Sequence, residues 1–281
     1  MLKGYIDYLR GDKKSENTVI SYSAKIQSAL DAIGKEETEI SKVDIVVWKA
    51  GMADKTAATI NAYMSALESY FDYLVEVGIV ETNVVTGMKR PAIKHKEKKL
   101  IEASMLRSMV NAATNIRDRA LVLVLGSTGL RVSEFISLTL DDYRKCKNDP
   151  DHAMIVLGKG DKERVVFFND EVINAIDNYI IVRGTKDKGF DNLFLSNQGT
   201  VMQEKMISKS LKRIAKLAGI PFWDEVTPHY LRSACASINL ENGAPITAVR
   251  DLLGHASIST TNIYAKAARN AVRNMCQVSA F

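Results

Sequence analysis

Cysteine is scarce in this 281-residue chain, and the three present, Cys146, Cys235 and Cys276, are scattered and never form a C-x-x-C pair. That spacing argues against a disulfide framework and against a thiolate zinc site. Long apolar runs are missing as well. The longest, such as residues 121–125, fall far short of the roughly 20 residues a membrane-spanning helix requires. The opening residues mix Lys3, Asp7 and Arg10 with apolar side chains and lack the basic stub and apolar core of a secretion signal. A soluble, cytoplasmic protein with no membrane partner is expected. No carboxylate cluster has metal-ligand spacing, so neither a metal nor a cofactor is expected. There is no internal repeat and no alternating βαβ series, which disfavours a solenoid and a doubly wound sheet. Strong charge of one sign is also absent. Lys and Arg exceed Asp and Glu by 38 to 33, a net +5 that many soluble enzymes carry and that attracts a polyanion only mildly.

What is present is helix. Over the first ninety residues apolar side chains recur at helical spacing, as at Ile60, Tyr63, Met64, Leu67, Tyr70, Phe71 and Leu74. Ser15 or Asn17 can cap a segment that runs to Ile33 and is followed by Gly34, and Gly78 closes a segment that begins near Lys55. A small helical bundle over 1–88 is expected. The composition then breaks at 89–99, where Lys89, Arg90, Lys94, Lys96, Lys98 and Lys99 face a single acid, Glu97, and Pro91 stops helix propagation. This reads as a basic linker, either a solvated tether or a strap that contacts phosphates. The region 100–281 is mixed. Helices are expected over 103–113, 116–127, 132–138, 171–182, 203–218, 228–242, 245–253 and 259–275, with a β-hairpin of 154–157 and 164–168 and a short strand at 193–195. The fold class is therefore mostly α with a small β-sheet: a helical-bundle N-terminal domain and a mixed α+β second domain.

Several charged side chains fall at turns and helix ends, where binding groups converge. Thr227, Pro228 and His229 read as a cap, a first-turn proline and the next residue, so His229 and Arg232 share one face near a helix N-terminus. Backbone N–H groups, the helix dipole and a guanidinium fork suit an anion there. A capping histidine beside a surface arginine explains the same letters. In T-G-L-R-V-S-E a helix ends at Gly129 and another begins at Arg131, a cation opposed by the helix dipole, which makes sense beside an anion or as a pair with Glu134. Lys159 lies between Gly158 and Gly160 in the hairpin turn, where it can swing toward a backbone or be merely solvated. His255 follows Gly254, and Tyr264 lies on a following helical segment, where tyrosine is most often core.

Taken together, Arg131 in T-G-L-R-V-S-E, Lys159 in G-K-G-D-K-E-R, His229 and Arg232 in H-Y-L-R, His255 in L-G-H and Tyr264 in S-T-T-N-I-Y resemble the tyrosine recombinase signature of phage integrases and bacterial Xer proteins. The intervals of three, twenty-three and nine residues from His229 to Arg232, His255 and Tyr264 resemble that pattern too. The resemblance is strong over 100–275, and the preceding bundle resembles, more loosely, the SAM-like core-site-binding domain of the same family. It implies that Tyr264 attacks a scissile DNA phosphodiester to form a 3′-phosphotyrosyl link, that Arg131 and Arg232 hold the nonbridging oxygens, that His229 accepts the tyrosine proton, that Lys159 protonates the departing 5′-oxygen, that His255 donates to the phosphate and that Glu134 orients its neighbours. Lys89, Arg90, Lys94, Lys96, Lys98, Lys99, Lys162 and Arg164 are the candidate DNA contacts. The implied partners are double-stranded DNA and further protomers, of this chain or a related recombinase, in a synaptic tetramer. The task is integration and excision or chromosome dimer resolution. A clamp on duplex DNA at a core site, without separate arm-site recognition, is the architecture expected. The tail after Tyr264 docks on a neighbouring protomer or folds back on its own domain. Ser233, Ala234 and Cys235 stand where many relatives carry His-Ser or His-Thr, a departure that touches packing. A type IB topoisomerase, a noncatalytic DNA-binding protein and a metal-dependent nuclease remain as other readings.

Overall fold

In the first ninety residues, one helix dictates the rest: the side chains of Met64, Ala66, Leu67, Tyr70, Phe71 and Leu74 are fully buried, so its apolar stripe has to be covered by neighbours. The computed structural model describes residues 1–93, 99–158, 163–184 and 189–254, and the chain divides into two compact units, Met1–Glu97 and Lys98–Phe281. In the first unit α1 (Leu2–Gly11), α2 (Glu16–Ile33), α3 (Lys42–Ala50) and α4 (Ala57–Glu76) form a bundle, with α2 packed on α1, α3 and α4. The start of α2 is set by Ser15, whose hydroxyl accepts from the Thr18 N–H, and its end by Gly34 in the left-handed region at φ 68°. The core of Tyr5, Leu9, Val19, Ile26, Ile45 and the α4 stripe is closed by rings. The hydroxyl of Tyr5 donates to Ser69 and that of Tyr70 to Glu37, so both buried phenols are satisfied.

The second unit is organised around α6 (Ile116–Thr128), whose residues from Ala120 to Leu125 are buried on every face. A helix apolar all round belongs inside a domain, and here α9 (Asp170–Arg183), α11 (Pro228–Glu241) and α5 (Ala103–Ala112) pack against it. Between α6 and α9 come α7 (Val132–Ser137), α8 (Leu140–Asn148) and a hairpin of β1 (Ala153–Leu157) with β2 (Glu163–Phe167), antiparallel with Val156 opposite Arg164. After α9 follow α10 (Glu204–Leu217), α11 and α12 (Ile246–Leu253).

Two expectations need correction. No strand forms at 193–195: Leu195 makes only an isolated bridge to Val201, because the neighbouring carbonyls point inward. The buried guanidinium of Arg183 donates to the carbonyls of Phe190, Asn192 and Leu193, which removes them from any ladder. Conversely, α8 was not anticipated, although Thr139 and Asp142 form a capping box at its start, each side chain bonded to the other's backbone N–H. Among the described residues no helix is long and apolar enough to cross a membrane.

Candidate active site and DNA-facing surface

The end of α6 shows why a glycine sits in T-G-L-R. Gly129 adopts φ +62°, and a Cβ there would meet Leu253 Cδ2 at 2.7 Å and Cys235 Sγ at 3.3 Å. Only a glycine lets α6 stop against α12 and α11 at this distance. The turn delivers Arg131 to the N-cap of α7. Its backbone N–H donates to Glu134 Oε2 at 2.7 Å, its guanidinium to Glu134 Oε1 at 2.8 Å, and a second guanidinium nitrogen to the Gly254 carbonyl at 2.9 Å. The pairing with Glu134 and the approach to a distant loop therefore coexist. Two of the five N–H donors of a guanidinium are used in these bonds, and the side chain remains 31% exposed.

His229 and Arg232 lie where the caps of α11 place them, with Thr227 as N-cap and Pro228 in the first turn. His229 is exposed, whereas Arg232 is 4% exposed and donates to the carbonyls of Gly129 and Leu253. Desolvating a guanidinium is costly unless it is bonded, and these two helix-end carbonyls compensate it. They also bring Arg232 and Arg131 to successive carbonyls, Leu253 and Gly254, of one helix terminus. Beside them the Cys235 thiol is buried, donates to the Ser127 carbonyl at 3.2 Å and is pushed up to about 11 by burial, an inert packing group.

Glu134 is the hub of this cluster. Burial alone would raise its carboxyl, but hydrogen bonds from Arg164, from the Arg131 backbone N–H and from the Arg131 side chain outweigh burial and hold it at about 2, below its ordinary 4.5. A depressed folded-state pKa contributes stability that is present above the unfolded value and is lost as pH falls toward the folded one. Glu134→Gln is therefore expected to cost about 3 kcal/mol near neutral pH, and the gap from the parent protein to narrow as the pH is lowered from 4.5 toward 2. Urea denaturation of both proteins across that range measures it, and a gap independent of pH would refute the assignment.

The remaining candidates divide. Lys159, His255, Tyr264, Lys94, Lys96, Lys98 and Lys162 lie outside the described residues. Lys89 is exposed. Arg90 pairs with Glu68 and donates to Ser65 Oγ at 2.7 Å on its own unit. Lys99 bonds to Glu225 at 2.9 Å and lies 5.7 Å from the Phe222 ring centroid, also on its own unit. Both described ends of the basic linker are thus docked rather than trailing as a free tether. Arg164 differs most from expectation: its side chain is 7% exposed, and its guanidinium forks onto both Glu134 oxygens at 2.6 and 2.7 Å while Nε donates to the Leu252 carbonyl at 2.8 Å. With every guanidinium nitrogen bonded inside the protein, it is poorly placed as an external phosphate contact.

One basic surface was missed. Helix α10 buries Ile207, Leu211, Ile214 and Ala215 and turns Lys205, Lys209, Lys212 and Lys216 outward, a stripe at intervals of four, three and four residues. Lys216 Nζ stands 4.9 Å from the Trp223 ring centroid, and Arg213 ties the helix to the buried Asp118 at the start of α6. The stripe borders an open groove lined by Gln203, Ser208 and Trp223. Its helical spacing is legible in the sequence, but its charges are dispersed one turn apart, whereas those of the linker are crowded into eleven residues.

Comparison with known proteins gives this arrangement a context. Residues 95–271 match the phage integrase family, and residues 2–78 match the N-terminal SAM-like domain of phage integrases. The chain is 30% identical over 288 residues to tyrosine recombinase XerC of Leptospira interrogans, covering 97% of this chain and 90% of that protein. It is 31% identical over 270 residues to tyrosine recombinase XerD of Rickettsia conorii, covering 89% and 88%. Among solved structures it resembles XerA recombinase with TM-score 0.57 at 27% identity, covering 100% of this chain and 98% of that one. It shares the fold of XerH site-specific recombinase bound to palindromic difH substrate, with TM-score 0.77 at 19% identity, covering 99% and 83%.

Proposed function

Because this chain belongs to the phage integrase family of tyrosine recombinases, enzymes that cleave and rejoin DNA at specific sites, we propose that it does so through Tyr264, with Arg131 and Arg232 as the phosphate clamp. The observation that carries this reading is the meeting of the two arginines, 101 positions apart by 232 − 131, on the carbonyls of Leu253 and Gly254, immediately before His255.

In this reading the Tyr264 oxygen attacks the scissile phosphorus and the bond to the 5′-oxygen breaks, leaving a 3′-phosphotyrosyl link that conserves the bond energy for rejoining. His229 accepts the phenol proton and Lys159 supplies one to the departing 5′-oxygen, while His255 donates to the phosphate. Arg131 and Arg232 stabilise the charge that builds on the nonbridging oxygens, and the deep burial of Arg232 leaves its field little screened. Glu134 orients Arg131. Double-stranded DNA is the partner, and the strand exchange takes place among four protomers in a cytoplasmic synaptic complex. The domains that serve it are the bundle 1–88, the linker 89–99 and the catalytic domain 100–281.

The test is incubation with nicked suicide duplexes that carry candidate sites from the genomic neighbourhood. A covalent adduct that forms in EDTA and maps to Tyr264 is expected; folded protein that forms none on any site would overturn the reading. Exchange between two duplexes, rather than relaxation of supercoils by a monomer, separates it from a type IB topoisomerase.

The α10 stripe adds a quantitative expectation. Each phosphate contact contributes about one unit of slope in log affinity against log salt concentration. Lys209→Ala and Lys212→Ala are each expected to lower that slope by about one and to weaken binding to all sequences alike. Filter binding at several salt concentrations measures it, and an unchanged slope in both variants removes α10 from the DNA-facing surface.

A further inference from the structure

Three arginines donate to three successive carbonyls at the end of α12: Arg164 to Leu252, Arg232 to Leu253 and Arg131 to Gly254. Two of them are already assigned to the phosphate. The third comes from a different element, β2, where the alternation of the strand sends Arg164 and Val166 to the inner face while Val165 and Phe167 remain exposed. Arg164 is nearly as enclosed as its partner Glu134, 7% against 5% exposed. Gly254, at φ +60°, leaves room for it: a Cβ there would meet Arg164 Cδ at 3.0 Å.

We propose that Arg164 is a positioning residue for strand cleavage, which fixes Glu134 and through it Arg131, and in the same grip fixes the end of α12 from which the chain continues to His255. The proposal rests on the assignment of Arg131 to the scissile phosphate. Its physical basis is that one rigid planar fork spans three elements: β2, where Arg164 lies five residues after Lys159 in sequence, the first turn of α7, and the terminus of α12. A lysine in its place keeps the charge but is a point donor that cannot bind both carboxylate oxygens and a carbonyl in fixed geometry. The Glu134 carboxylate then loses its fork, Arg131 loses its fixed partner, and the α12 carbonyl loses a donor.

A clamp displaced by about 1 Å costs on the order of a hundredfold in rate. Arg164→Lys is therefore expected to slow single-turnover cleavage of a nicked duplex about a hundredfold at saturating DNA, with the dissociation constant and its salt slope unchanged. Because the defect acts through charge stabilisation at a nonbridging oxygen, it should shrink on a duplex whose scissile phosphate is a methylphosphonate, which lacks that charge. A role in folding alone would not produce such rescue. If Arg164→Lys does not yield folded protein, Glu134→Asp, which keeps both charges and withdraws the carboxylate by one carbon, carries the same expectations. Weaker binding with a reduced salt slope would make Arg164 a direct DNA contact and overturn the proposal, as would cleavage at the parent rate or a defect of equal size on both substrates. Absence of any adduct from the parent protein, by contrast, would strike the assignment of function itself.

Discussion

Tyr264→Phe is expected to abolish the covalent adduct on a suicide duplex and to leave the mobility-shift complex in place. The change removes one oxygen. That oxygen is the proposed nucleophile, and the ring carbon left in its place cannot attack phosphorus. Affinity, in contrast, is proposed to come from many phosphate contacts, with the outward-turned α10 lysines among the candidates, so binding should change little. A phenol has an ordinary pKa near 10, which makes Tyr264 a poor nucleophile at neutral pH without a proton acceptor such as His229 and cations to stabilise the developing charge. The experiment also discriminates between classes. A protein that only binds DNA gives no adduct in either form, and an adduct that survives in the Phe variant would transfer the role of nucleophile to another residue.

Arg131→Ala should produce the second largest effect, a cleavage rate lower by about 10²–10³, the usual cost of losing one preorganised donor at a charge that builds in the transition state. Arg131 is the cleaner of the two arginines to test. Its side chain is 31% exposed, and Glu134 would keep its fork from Arg164 after Arg131 is truncated, so the fold should tolerate the change. Arg232 is 4% exposed, and its removal strips donors from the carbonyls of Gly129 and Leu253 at two helix ends. A buried acceptor left without a donor costs about 1–3 kcal/mol, so Arg232→Ala confounds folding with catalysis. Single-turnover rates at saturating DNA, alongside thermal melting of each variant, separate the two. A rate for Arg131→Ala within threefold of the parent would remove it from the clamp.

Much of the fold was legible because it is local. Ser15 and Gly34 fix the ends of α2, Gly129 the end of α6, and Thr227 with Pro228 the start of α11, each through bonds or backbone angles that span a few residues. Helix α8 was equally local and could have been found from Thr139 and Asp142. The segment after Asn192 was misread as a strand because its apolar letters are those of a strand, whereas its backbone is turned by Arg183. Neither propensity nor periodicity carries information about which carbonyl a distant guanidinium will reach.

The same division governs the site. The order and spacing of Arg131, Lys159, His229, Arg232, His255 and Tyr264 are properties of the sequence, and it is their resemblance to the tyrosine recombinase signature that points to phosphoryl transfer on DNA. What the tertiary structure alone decided is how the arginines are employed: Arg164 reaches Glu134 across 30 positions and Leu252 across 88, and Arg131 reaches Gly254 across 123. A basic letter in a row reads as surface charge. It becomes an internal brace only when folding brings a buried carboxylate and a helix terminus within hydrogen-bond range, since a guanidinium withdrawn from water must have its donors met.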